Sequence, residues 1–450
     1  MPILIFAASL PKPVLGTDPH LAFTSIPASM AAGDSVNITV QRQDGGGAPA
    51  SSGPLTVDLN TDSTGGIFRD AVTNLPITSV DIPDGSDSAS FKYLDSVTPL
   101  STLTAADDAN VLTSAVQAIT VTPAALDHFT IDNTVVDQVA GIAFTVNATA
   151  WDQYDNVKTD YTGGASIKHD IADSPGCAVC TPVLDAQAPD YGTFAPWVNG
   201  LSSVDVTAYN AQSGVTVTVE DSSITSAAST TFAVGPSATL GGFTIDNTIA
   251  DPQIAGTSFE VDATAYDQYG NVKTDYAGGA SIKHDLADSP GCASCTPVLD
   301  AQAPGYGTFA AWVDGQSSVD VTAFSAQTGV SVTVEDGSIA SAPSNSFAVA
   351  NGAALGGFTI TTSAPATKTA GTSFTTDVVA YDLYGNTNKT YAGTPSLLMA
   401  DSPGCSACSP ALPIAHPSYG TLTFTDGAAS ASVTPVKAED ASPLTVTDSG

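Results

Sequence analysis

Residues 140–180 read A-G-I-A-F-T-V-N-A-T-A-W-D-Q-Y-D-N-V-K-T-D-Y-T-G-G-A-S-I-K-H-D-I-A-D-S-P-G-C-A-V-C, and this stretch decides the fold. It returns at 255–295 with few changes and, more loosely, at 370–408. Gly141, Gly256 and Gly371 stand 115 residues apart (256−141 and 371−256), the length of one small domain. The chain is therefore a row of similar modules, and enough sequence precedes the first repeat for one more.

Inside the repeat, apolar residues alternate with polar ones. Phe144, Val146, Ala148 and Ala150 form one face, Val204, Val206 and Ala208 a second, and Val215, Val217 and Val219 a third, with Phe232 and Val234 closing the unit. The next module repeats the plan with Phe259, Val261, Val319, Val321, Val330, Val332, Val334, Phe347 and Val349. Ahead of the repeats, Val36, Ile38 and Val40 alternate in the same way, and Gly, Asp and Pro turns separate short β-favouring runs. A period of two marks half-buried strands. No segment holds a helical period over three turns. The glutamates are few (Glu220, Glu260, Glu335, Glu439), and most of the acid is the turn-former Asp. This predicts an all-β chain of antiparallel sandwiches. The expected divisions are 1–18, a leading strand and linker; 19–122; 123–235; 236–350; and 351–450. Linkers at 122–125, 235–239 and 350–354 are short, which predicts an elongated, semi-rigid rod.

A net charge of −34 repels nucleic acid and anionic membrane surfaces and suits calcium or high salt. No apolar run is long enough to span a membrane. The six cysteines fall in three local pairs, Cys177/Cys180, Cys292/Cys295 and Cys405/Cys408, each in a D-S-P-G-C-x-x-C loop. An even count per module suits an oxidising compartment, where a disulfide would close each loop. A metal would need two further ligands. His169 and His284 lie eight residues before the first cysteine of their modules, but the fourth module has Leu397, Leu398 and Met399 near that place. The expectation is three disulfides.

The turns D-Q-Y-D-N (152–156), D-Q-Y-G-N (267–271) and D-L-Y-G-N (382–386) resemble those of bacterial immunoglobulin-like surface repeats of the invasin/intimin type, which often carry A-x-D-x-x-G-N there. S-T-G-G-I-F and D-I-P-D-G-S-D-S-A-S-F-K-Y in the first module resemble another bacterial surface repeat. The resemblance covers nearly all of the chain past about residue 20. It implies immunoglobulin-like sandwiches in an extracellular or cell-surface stalk or adhesin, and no enzyme. Asp155 departs from the usual glycine, and the cysteine pairs are foreign to the pattern.

The two ends suggest self-association. In the second and third modules Glu220-Asp221-Ser222 and Glu335-Asp336-Gly337 precede a last strand, S-T-T-F-A-V at 229–234 and S-N-S-F-A-V at 344–349. The fourth reaches Asp448-Ser449-Gly450 without one, while Ile3, Leu4, Ile5 and Phe6 form a spare apolar strand at the other end. Inserting that strand into the fourth module of the next copy would make a head-to-tail homopolymer by donor-strand complementation. The expected function is the subunit of such a surface filament; the alternative is a fragment of a non-polymeric adhesin stalk. The surface ligand is not readable.

Other chemistry is thin. No catalytic constellation appears, so no catalytic residue and no cofactor are assigned. Asp152, Asp155 and Asp267 are weak calcium candidates, lacking a D-x-D-x-D-G loop. Lys158, Lys273 and Lys389 recur and could form Lys–Asn cross-links, though ordinary surface lysine is the simpler reading. Asn37, Asn147 and Asn388 sit in glycosylation sequons, and Trp197 and Trp312 read as core rather than as a sugar platform.

Overall fold

The structure, a computed structural model, describes residues 18–178, 191–292, 306–363, 365–399, 418–436 and 443–448. Every regular element among them is a strand. The chain divides into two compact units, Met1–Asp173 with Cys180–Gly235, and Ser174–Val179 with Pro236–Gly450.

Unit 1 opens with two facing sheets. One orders His20–Ser25, Ser35–Gln43, Ser88–Leu94 and Ile67–Asp70; the other orders Ser29–Ala31, Ala115–Thr122, Leu100–Asp107, Leu55–Thr61 and Ser79–Ile82. The alternation works as the sequence predicts. Ile38 and Val40 point inward with Val57, Ile82, Phe91, Leu103 and Ile119, all fully buried. The second module follows with three small sheets. Ala143–Asp152 lies between Leu126–Ile131 and Leu201–Thr207 in one, with Val146 opposite Val204 and Phe144 opposite Val206. Another orders Tyr191–Thr193, Ser166–His169, Val217–Asp221 and Ile224–Thr225. In the third, Phe232–Gly235 sits between Gln138–Val139 and Gln212–Val215.

Unit 2 repeats these three sheets in its first module, with Ser258–Asp267, Ser281–His284 and Phe347–Ala350 in the matching places. The chain is thus all-β, a tandem of immunoglobulin-like sandwiches. Purely antiparallel pairing, however, does not hold. Gln138–Val139 runs parallel to the closing strand of its module, as do Gln253–Ile254 and, in the first module, Ser29–Ala31. In these three modules the opening segment leaves its antiparallel partner, crosses the sandwich and lies beside the last strand. Period-two alternation looks the same in both pairings.

The last module is built on the four-stranded sheet Leu355–Thr362, Phe374–Asp382, Ala428–Thr434 and Ser418–Tyr419, faced by Ser396–Met399 paired with Leu444–Thr447. Its buried core is Phe374, Val378, Leu397, Leu422, Ala429, Ala431 and Val433. Phe358, Leu444 and Val446 are only half-buried, whereas Phe129, Val217 and Val219 at the matching places of the second module are buried; Ile360 is half-buried like its counterpart Ile131.

An aromatic cluster closes one end of each repeated module. Trp197 packs against Phe129, Tyr161 and Phe194, with ring centroids 5.7, 4.9 and 5.3 Å away. Trp312 does the same with Phe243, Tyr276 and Phe309, and Phe424 takes the tryptophan's place beside Tyr391. Each tyrosine hydroxyl donates to an aspartate on the facing sheet or just past it: Tyr161 to Asp221, Tyr276 to Asp336 and Tyr391 to Asp448. Both tryptophans are half-buried and pack against the core.

Candidate functional site: the turns that join modules

The D-x-Y-x-N turns are where the repeated sequence does something beyond packing. Each follows the long strand that ends at its aspartate: Asp152, Asp267 or Asp382. That residue is almost fully buried in all three. One carboxylate oxygen braces the turn. Asp152 Oδ1 accepts from the N–H of Tyr154 and of Asn156, both at 2.9 Å, and Asp382 Oδ1 from Tyr384 at 2.9 Å and Asn386 at 2.8 Å. The other oxygen grips the linker that leads into the module. Asp152 Oδ2 accepts from Ala124 N at 2.8 Å, Asp267 Oδ2 from Ser237 N at 2.7 Å, and Asp382 Oδ2 from Gly352 N at 2.7 Å. Burial alone would raise the Asp152 carboxyl. The amide of Asn156 and the N–H groups of Ala124, Asn156 and Tyr154 outweigh it and hold the pKa below the ordinary value.

The asparagine reaches the other way, into the preceding module. In unit 1, Asn156 Nδ2 donates to Ser96 O at 2.8 Å and Asn156 Oδ1 accepts from Thr98 N at 3.1 Å. In unit 2, Asn386 Nδ2 donates to Phe324 O at 2.7 Å and its Oδ1 accepts from Ala326 N at 2.7 Å. A primary amide offers a donor and an acceptor on one rigid plane, so it closes two backbone groups of a loop at once. In the first module that loop is itself fixed, because buried Asp95 accepts from Val97 N at 2.9 Å and Ser63 Oγ at 2.9 Å.

The tyrosine completes the joint. Tyr154 lies over Gly33 of the first module so closely that a Cβ there would fall 1.9 Å from its hydroxyl oxygen. Tyr384 lies over Gly256 in the same way and packs at a tilt against Phe324, with ring centroids 5.1 Å apart. The turns at 152–156 and 382–386 thus each carry three devices: a carboxylate on the linker, an amide on the preceding module's loop, and a phenol on its glycine.

The carboxylates of Asp152 and Asp267 have their lone pairs filled by N–H donors, the reverse of the oxygen cage calcium needs. Asp155 sits beside Asp152 at φ +61°. No group of three or more His, Cys, Asp or Glu side chains among the described residues could hold a metal ion. Cys177 and Cys292 lie at the edge of the described residues; Cys180, Cys295, Cys405 and Cys408 lie outside them, as do Ile3, Leu4, Ile5 and Phe6. His169 Nδ1 accepts from Ile171 N, and His284 Nδ1 from Leu286 N, both at 3.0 Å. Lys273 is buried, its Nζ donating to Ser237 O at 2.9 Å and Asp275 at 2.8 Å, while Lys158 reaches Asp160 at 2.7 Å. Neither ammonium donates to an asparagine in these bonds. The fourth module's equivalent is Asn388, two residues past its turn asparagine, rather than Lys389. Asn388 is buried at 2 % exposure, which removes it as a glycan acceptor, whereas Asn37 and Asn147 are exposed. No helix among the described residues is long and apolar enough to cross a membrane.

The joint role of Asn156 and Asn386 escaped the sequence. The available signal was the fixed Asp and Asn, four apart, with the Asp 11 residues past Gly141, Gly256 or Gly371 in every repeat, while the residue before the Asn changed.

No family model matches the chain, and no curated protein matches it. Among solved structures it is similar to FdeC, an Escherichia coli adhesin, at 16% identity and a TM-score of 0.38 over 75% of this chain and 98% of that one. It is similar to invasin, a bacterial integrin-binding protein, at 14% identity and a TM-score of 0.33 over 93% and 79%. It is also similar to the Yersinia pseudotuberculosis adhesin InvE, at 19% identity and a TM-score of 0.21 over 48% and 58%.

Proposed function

We propose that this chain is an extracellular structural protein of the cell surface, a stalk in which the immunoglobulin-like modules within each compact unit are locked to one another. The observation that carries this is the D-x-Y-x-N joint. A protein that only strings binding modules together has no use for a buried amide that closes two backbone groups of the preceding module. Disulfides in the C-x-x-C loops, pairing Cys177 with Cys180, Cys292 with Cys295 and Cys405 with Cys408, would fit the same oxidising location. The test is labelling of intact cells of the source organism with an antibody to the chain. Labelling before permeabilisation supports the reading, and signal only afterwards ends it.

A second reading, assembly into filaments, draws on the last module. Phe358, Ile360, Leu444 and Val446 are half-buried there. Lys368 and Thr369 occupy the place where Gln138–Val139 and Gln253–Ile254 pair with a closing strand, and no strand partner is described for them. The occupant this reading names is the strand of Ile3, Leu4, Ile5 and Phe6 from a second copy, giving a head-to-tail homopolymer; the competing occupant is a further stretch of a longer chain. Negative-stain microscopy and size exclusion of the full chain and of a variant lacking residues 1–10 decide it. Polymers from the full chain alone support strand exchange; polymers from both or from neither refute it.

A further inference from the structure

The turn glycines raise a question that backbone conformation does not answer. Gly270 and Gly385 have φ of +82° and +84°, but Asp155 holds the equivalent position at +61°. Aspartate enters this left-handed region at modest cost, so conformation alone does not demand glycine at 270 and 385. Close approach does. A Cβ on Gly385 would lie 2.4 Å from Gly291 Cα and 2.5 Å from Gly291 N, and one on Gly270 would lie 2.5 Å from Gly176 Cα. Gly291 and Gly176 belong to the S-P-G segments that lead into Cys292 and Cys177. Unit 2 includes all of these residues.

The contact is hydrogen-bonded as well as tight. Tyr384 O accepts from Gly291 N at 2.9 Å and from Ser289 Oγ; the same serine oxygen accepts from Cys292 N at 3.2 Å. Tyr269 O likewise accepts from Gly176 N at 2.9 Å and from Ser174 Oγ at 2.5 Å. The module ahead of Asp155 has no cysteine and no S-P-G segment between residues 19 and 122. Asp155 is exposed and its side chain is tolerated; where an S-P-G segment docks, only hydrogen fits.

We infer that the S-P-G-C loop is a latch whose partner is a glycine-bearing D-x-Y-G-N turn, so that glycine or aspartate at this one position determines which module can sit beside which. This rests on reading the turn as a joint and adds a selectivity to it. The latch accepts an immunoglobulin-like module with glycine before the turn asparagine and rejects one with aspartate.

The test compares Gly385→Asp with Asp155→Gly in the full chain, by amide hydrogen exchange. Gly385→Asp is expected to speed exchange of the Gly291 amide at least about tenfold, the loss of roughly one hydrogen-bonded contact. Asp155→Gly should leave exchange in the residue 95–98 loop within about twofold, because no latch is lost there. Gly291→Ala gives a second arm. Gly291 does not have a left-handed backbone, so alanine there tests close approach alone and should free the amide of residue 291 similarly. Amides of Val378 and Ala380 report that the last module is still folded. A Gly291 amide unmoved in Gly385→Asp, with that module folded, overturns the latch. The joint has its own readout, the Ala326 amide, whose acceptor Asn386 Oδ1 is untouched by these changes. If that amide exchanges like a free loop in the unaltered protein, the joint reading fails; if it is protected while Gly291 ignores Gly385→Asp, only the latch fails.

Discussion

Replacing Asn386 by alanine removes three hydrogen bonds and nothing from a hydrophobic core. The lost partners are Phe324 O at 2.7 Å, Ala326 N at 2.7 Å and Asp382 Oδ2 at 2.8 Å. Asp382 keeps three N–H donors, from Tyr384, Asn386 and Gly352, so its carboxylate stays satisfied. The cost falls on the preceding module, where one carbonyl and one N–H lose their partners at a site that is 5 % exposed in Asn386. Leaving a buried backbone group unpartnered costs about 1–3 kcal/mol. Two such groups, partly relieved by water entering the opened joint, give about 2–4 kcal/mol. At 1.4 kcal/mol per factor of ten, even the lower figure is about a 30-fold rise in the open population. The reporter is the Gly291 amide, because its acceptor, Tyr384 O, is untouched by the mutation and its exchange therefore reads opening rather than loss of its own bond. The strand Phe374–Asp382 should stay protected throughout. Gly291 exchange within about threefold of the unaltered protein would refute the reasoning, since the joint would then be held without the amide.

Further outcomes follow from the same geometry. Burial lowers the pKa of His169 to about 4; the fold favours the neutral ring, whose Nδ1 must accept from Ile171 N–H, so stability is full above pH 6.5 and is lost as pH falls from there toward 4. The slope is at most about 1.4 kcal/mol per pH unit, and urea midpoints across that window should fall in the parent and flatten in His169→Gln. In the third module Glu260 stands directly opposite Asp320, whereas the second pairs Thr145 with Asp205 through a 2.7 Å hydrogen bond. Glu260→Thr should therefore stabilise that module by roughly 0.2–1 kcal/mol; an unchanged or lowered urea midpoint would contradict this. Alkylation of the unreduced, denatured chain followed by peptide mass mapping should leave all six cysteines unlabelled, with each C-x-x-C peptide short by two hydrogens. A labelled pair or an inter-loop cross-link would remove the proposed pairing.

Much of the sandwich was legible because one-sided burial imposes a period of two, and residues such as Val204, Val206, Val217 and Val219 obey it strictly. The parallel strand Gln138–Val139 was not, since two residues carry no period and its partner Val234 is nearly a hundred positions away. The D-x-Y-x-N turns were visible as turns, but Asp152 read as a weak calcium candidate, because a carboxylate filled by N–H donors looks the same in sequence as one open to a cation. Their role as joints was hidden for a different reason. Asn156 finds its partners at Ser96 and Thr98, in a module of another sequence type, so no pattern within the repeat records the contact. The same holds for Gly33, where the close approach of Tyr154 adds to a left-handed backbone at φ +82°. Lys389 was misplaced because the eye follows residue type; counting from the turn asparagine leads to Asn388, buried and bonded to Asn351.

The locked joint is tested most directly by the distance distribution between two spin labels on non-natural residues, one replacing exposed Val313 and one replacing exposed Leu398, in the full chain. A single narrow distribution that broadens on Asn386→Ala is the expected result. A distribution already broad in the parent, and indifferent to Asn386→Ala, would contradict the account.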